Sequence, residues 1–122
     1  MGASAPEQPA YSLDEFRSTA VLEAIRNTCD YRGWNLLAAH VRTNHVHTVV
    51  EAEAEPERVM TDFKTYSTRL LNEMKLDEPG RKRWPRHGST RWLWEPKHVS
   101  AAIQYVVEEQ GLPMTLFRAE EP

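Results

Sequence analysis

Two histidines separated by one residue, His45 and His47 in Asn44-His45-Val46-His47, lead into the run Thr48-Val49-Val50. Side chains alternate faces along a β-strand, so both imidazoles point the same way, about 7 Å apart, as two ligands of one metal ion would. Val46, Thr48 and Val50 take the other face. The same pattern also makes a plain polar strand edge, so the metal reading leans on the rest of the chain. A second group with chemical potential is the crowd of Arg81, Lys82, Arg83, Arg86 and Arg91 interleaved with Trp84, Trp92 and Trp94. Basic side chains beside flat aromatics suit a single-stranded backbone with stackable bases. They equally suit a solvated loop whose tryptophans belong to the core.

The third group lies on a helix near the C-terminus. With 100° per residue, Val99, Ile103 and Val106 form the core-facing stripe and Tyr105 falls outside it. Glu109 lies one turn beyond Tyr105, whereas Gln110 falls on the apolar stripe, where a long amide needs a hydrogen-bond partner or a metal. Tyr66 is the rival nucleophile, but it shares a stripe with Val59, Phe63 and Leu70 and reads first as a core aromatic. His40 reads as structural. His87 and His98 have no ligand spacing with the pair, although His98 shares the wheel face of Tyr105.

These groups are positioned by the order helix, strand, strand, helix, loop, helix. Ser12-Leu13-Asp14-Glu15 reads as a capping box, with Leu13, Phe16, Ala20 and Ala24 following at helical spacing to about Asp30. After a turn at Gly33, residues 35–41 and 45–50 flank Arg42-Thr43-Asn44 as an antiparallel hairpin. Pro56 suits the first turn of a second helix, whose stripe Val59, Phe63, Tyr66, Leu70 is expected to pack on the sheet. Residues 77–95 make a long loop with a short strand expected around Arg91-Trp92-Leu93-Trp94. The last helix is expected from about Lys97 to Gln110, with Gly111 ending it and Pro113 preventing its resumption.

Composition sets the bounds. A chain of 122 residues with 40% hydrophobic content supports one core. The net charge of −3 argues against a uniformly basic surface, but acid collects between residues 51 and 57 and at the C-terminus, so the basic segment stands apart. A single cysteine, Cys29, excludes a disulfide framework and a cysteine-based zinc site, and fits a reducing cytoplasm. No apolar run reaches the ~18 residues of a membrane span, and residues 1–6 carry no export signal. The expected organisation is a disordered segment 1–11, one domain over 12–117 and an acidic tail 118–122.

His45-Val46-His47 after Asn44, the segment from Phe63 to Asn72, the segment from His87 to Trp94, and the helix from Ile103 to Gly111 occur in that order. Together they resemble the single-tyrosine HUH transposases, particularly relatives of the REP-associated tyrosine transposases, over about residues 12–115. The resemblance implies an α/β (α+β) fold, a ferredoxin-like or RRM-like sandwich of an antiparallel sheet with helices packed on it. It implies that His45 and His47, with either Glu109 or Gln110 as the third ligand, hold Mg²⁺ or Mn²⁺. Tyr105 would then cleave single-stranded or hairpin DNA through a 5′-phosphotyrosine intermediate, serving either its own histidines or those of a second copy in a homodimer. A phenol is a poor nucleophile at neutral pH unless a cation stabilises its phenolate. Lys64, Arg69, Arg83, Arg86 and Arg91 are the candidate phosphate contacts. Relatives open with an aromatic-rich, Thr/Arg-containing central strand that residues 1–11 do not match. The sheet is therefore expected to be one strand short, and an inactive or domesticated DNA-binding remnant is the alternative function.

Overall fold

The computed structural model of the chain describes residues 10–84, 88–108 and 115–120. Its elements run α1 (Glu15–Arg32), β1 (Asn35–Val41), β2 (Val46–Glu51), α2 (Pro56–Glu73), α3 (Pro96–Glu108) and β3 (Thr115–Arg118). The result is an α+β fold with an antiparallel sheet in the order β2-β1-β3. No helix among the described residues is long and apolar enough to cross a membrane.

The start of α1 differs from the capping box read in the sequence. The N-cap is Asp14, whose Oδ1 accepts from the Arg17 backbone N–H at 2.9 Å while its other oxygen pairs with the Arg17 guanidinium at 2.7 Å. One short side chain thus satisfies a helix-end donor and holds a cation, which Ser12 cannot do two residues further out. Phe16, expected in the core stripe, is exposed. The buried face is instead Ser18, Ala20, Val21, Ala24, Ile25, Thr28 and Cys29. Gly33 ends the helix at φ 75°, in the left-handed region where the missing Cβ removes the steric penalty.

The hairpin forms as the spacing predicts, with Arg42 N–H donating to the His45 carbonyl at 2.8 Å and Ala39 opposite Thr48, His40 opposite His47 and Val41 opposite Val46. A register irregularity between Leu36 and Ala38 inserts Leu37 as an extra residue. Leu37 and Ala38 therefore both join the apolar cluster on the α3 side, with Val49, Leu93, Val99, Ala102, Ile103, Val106 and Val107. The opposite face of the sheet, through Leu36, Ala39 and Val41, packs into the larger core with α1 and α2.

α2 packs chiefly on α1 and joins that core through Val59, Phe63 and Leu71, with Phe63 edge-on to Trp34 at 6.1 Å. Tyr66 leaves the expected stripe: it is half-buried and meets Tyr31 of α1 edge-on at 6.5 Å. β3, a strand that the sequence reading did not anticipate, pairs with β1 and is fastened to α1 by Ser18 and Thr115, whose hydroxyls lie 2.7 Å apart. Conversely, Arg91 to Trp94, where a short strand was expected, forms no strand. The expected end of the last helix at Gln110, Gly111 and Pro113 lies outside the described residues.

Candidate functional site

The hairpin turn places His45 just before β2 and His47 within it, and their rings lie parallel, 5.9 Å apart between centroids with 4° between planes. His45 Nδ1 is 2.6 Å from the Asn44 side-chain oxygen. In that bond the nitrogen donates, leaving Nε2 with its lone pair directed outward. This is the arrangement in which a second group fixes the tautomer of a metal-ligating imidazole. His47 is partly buried. Burial, followed by the neighbouring His45, His40 and Arg42, pushes its pKa below the ordinary histidine value and favours the neutral ring that a metal requires. Two imidazoles on one face, one of them oriented by an amide, fit a divalent cation that takes its remaining donors from elsewhere.

His40 belongs to the same surface, which the sequence reading missed. It is fully buried, stands opposite His47 in the β1–β2 register, and is hydrogen-bonded to the backbone of Val106, the residue after Tyr105. Burial lowers its pKa, and Arg42 adds to that, against the opposing effect of the Val106 bond. The expected three-residue connection would set His40 opposite Val46; the observed four-residue connection, Arg42 to His45, shifts the register by one and sets His40 opposite His47.

α3 lies against β1, β2 and β3 on this face, with Val106 buried on Ala38 and Val49. Tyr105, next to Val106, is half exposed. The helix carrying Tyr105 and the strand carrying His47 are thus packed together. Glu109 and Gln110, the two candidates for the third ligand, lie outside the described residues. Among the described residues no three His, Cys, Asp or Glu side chains converge on one point.

The basic residues divide into unlike groups. Arg83 has a side chain only 2% exposed and donates to Asp77 at 3.0 Å and to Asn72 at 2.9 Å. Its role here is structural, contrary to its expected place on a phosphate. Asp77 also accepts from Tyr11 at 2.7 Å and from Arg17 at 3.0 Å. Burial pushes the Asp77 carboxyl up, but the bonds from Tyr11, Arg83 and Arg17 outweigh it and hold its pKa below the usual value. Trp84 is docked too, donating from its indole nitrogen to Thr68 at 2.8 Å. Lys64 and Arg69 sit on α2, in the layer on the far side of the sheet from α3, with the Arg69 guanidinium over the Tyr66 ring. The structure therefore does not bring them to the histidines, and Tyr66, the rival nucleophile, shares their layer. Arg91 is exposed in the segment leading to α3, while Arg86 and His87 lie outside the described residues. His98 is exposed on the first turn of α3.

The family model described as "Transposase IS200 like" matches residues 11–110, a span that takes in both histidines, Tyr105 and everything between them. The chain belongs to the IS200-like transposase family, and its class of function is transposition, with DNA as partner. No curated protein and no solved structure matches it.

Proposed function

We propose that this transposase cleaves and rejoins single-stranded DNA through a covalent bond to Tyr105. The observation that carries the reading is the packing of the Tyr105 helix onto the sheet face that presents His47, with His40 bonded to the backbone beside the tyrosine. The Tyr105 oxygen attacks phosphorus as the bond from phosphorus to the 3′-oxygen breaks. The phenol proton is lost, the leaving 3′-oxygen is protonated to a hydroxyl, and a 5′-phosphotyrosine remains that the same hydroxyl can reverse. Mg²⁺ or Mn²⁺ held by His45, His47 and either Glu109 or Gln110 would supply the positive charge that polarises the phosphate and favours the phenolate. Asn44 orients His45, and burial keeps His47 neutral for this role. Arg91 supplies a phosphate contact near α3; Lys64 and Arg69 would meet DNA only on the far layer. The domain extends over about 12–117, and the buried thiol of Cys29 supports work in a reducing cytoplasm.

The test uses a labelled single-stranded hairpin with Mn²⁺, read on a denaturing gel where a covalent adduct survives. The wild-type chain is expected to form the adduct, Tyr105→Phe to bind DNA without forming it, and Tyr66→Phe to form it normally. His45→Ala is expected to lose cleavage and metal binding together. DNA binding by the wild-type chain with no adduct under any divalent ion would replace this reading with the DNA-binding remnant.

A further inference from the structure

The basic, tryptophan-rich stretch is two different structures joined in sequence. Its first part is docked: Arg83 and Trp84 are consumed by Asp77, Asn72 and Thr68. Its later part turns outward. Trp92 and Trp94 are 50% and 79% exposed, and their rings stack at 5.3 Å between centroids with 12° between planes. Leu93, between them, turns inward onto the Ala38, Val49 and Val106 cluster. Leu93 is partly buried while Trp92 and Trp94 on either side of it are exposed. The stack is therefore anchored to the apolar cluster that also receives Val106, next to Tyr105.

The two indoles stack on one another and both stay exposed, Trp94 the more so. Two indoles make a small patch, well short of the roughly 800 Å² per partner that a stable protein interface buries. It is the right size for one or two flat rings. Arg91 stands exposed beside it, placed to meet a phosphate. From Pro96, where α3 begins, to Tyr105 is about 14 Å along the helix, within reach of one short stretch of strand.

We propose that the Trp92–Trp94 stack is a platform for unpaired bases of the DNA strand, holding nucleotides a few positions from the one at Tyr105. This deepens the function proposed above and rests on its single-stranded substrate. The full chain is titrated in EDTA, so that binding is read without cleavage, with an oligo-dT strand and with an abasic strand of equal length. Binding to oligo-dT is expected to quench tryptophan emission and to be tighter than binding to the abasic strand. Trp92→Ala and Trp94→Ala are expected to weaken oligo-dT binding about 5- to 100-fold and leave abasic binding unchanged, with Trp94→Tyr restoring most of the affinity. Equal affinity of the wild-type chain for the two strands would overturn the platform, and so would alanine variants that melt normally and bind oligo-dT as wild type does. Self-association lost in Trp94→Ala, with no dependence on bases, would assign the stack to a second copy instead. Base-dependent binding without any covalent adduct would retain the platform and remove the cleavage reading, so the two fail separately.

Discussion

Replacing Arg83 by alanine separates a structural arginine from a DNA-binding one. The Arg83 guanidinium bonds Asp77 at 3.0 Å and Asn72 at 2.9 Å, and its side chain is 2% exposed against 9% for Asp77. Breaking a buried pair by removing one partner costs about 3–5 kcal/mol, and a single hydrogen bond to a charged group contributes about 1.5–3 kcal/mol. Asp77 keeps Tyr11 and Arg17 as donors, so its charge is not stranded and the lower part of the range applies. The expected loss is about 2–3 kcal/mol. For a chain of this size that lowers Tm by roughly 6–15 °C in a calorimetric melt. The slope of log affinity for single-stranded DNA against log salt should not change. Arg91→Ala is expected to do the reverse: stability within about 0.5 kcal/mol of wild type, and a salt slope shallower by about 0.7. An Arg83→Ala variant that melts like wild type but shows the shallower slope would refute the assignment of this side chain to the Asp77 network.

Asn44→Ala frees the His45 ring, so calorimetric titration with Mn²⁺ is expected to show about 10- to 100-fold weaker binding with an unchanged melt; unchanged affinity would remove Asn44 from the site. His40 and His47 have lowered pKa values, so the unfolded chain binds protons that the folded chain refuses. Urea midpoints should therefore fall as pH drops through the ordinary histidine range around 6.5, and His47→Ala should flatten part of that descent. Asp77 acts at lower pH: its contribution is complete above the ordinary carboxylate value and is lost as pH falls through its depressed folded value, giving a second descent that Asp77→Asn should abolish. The buried Cys29 thiol, pushed up to about 11 by burial and by Asp30, should resist alkylation in the native chain at pH 8 and react on unfolding; rapid native labelling would contradict its position in the core.

What the sequence determined by itself was whatever neighbours in the chain decide. The hairpin followed from two apolar runs and a short polar connection, α2 from Pro56 and a helical period, and the facing of His45 and His47 from the two-residue repeat of a strand. The α3 stripe of Val99, Ile103 and Val106 was legible for the same reason, and with it the outward place of Tyr105. Tertiary structure decided what depends on partners far away in sequence. Thr115 to Arg118 carries only four residues of alternation, and it becomes a strand because β1 offers an edge and Ser18 meets Thr115, 97 positions away. Arg83 looked like a surface charge until Asp77, Tyr11 and Arg17 gathered around it, with Tyr11 and Asp77 separated by 66 positions. The same composition, arginine beside tryptophan, was docked against the fold at Arg83 and Trp84 and exposed at Arg91 and Trp92. Local pattern cannot separate those outcomes, because burial is settled by which surface the chain meets when it folds.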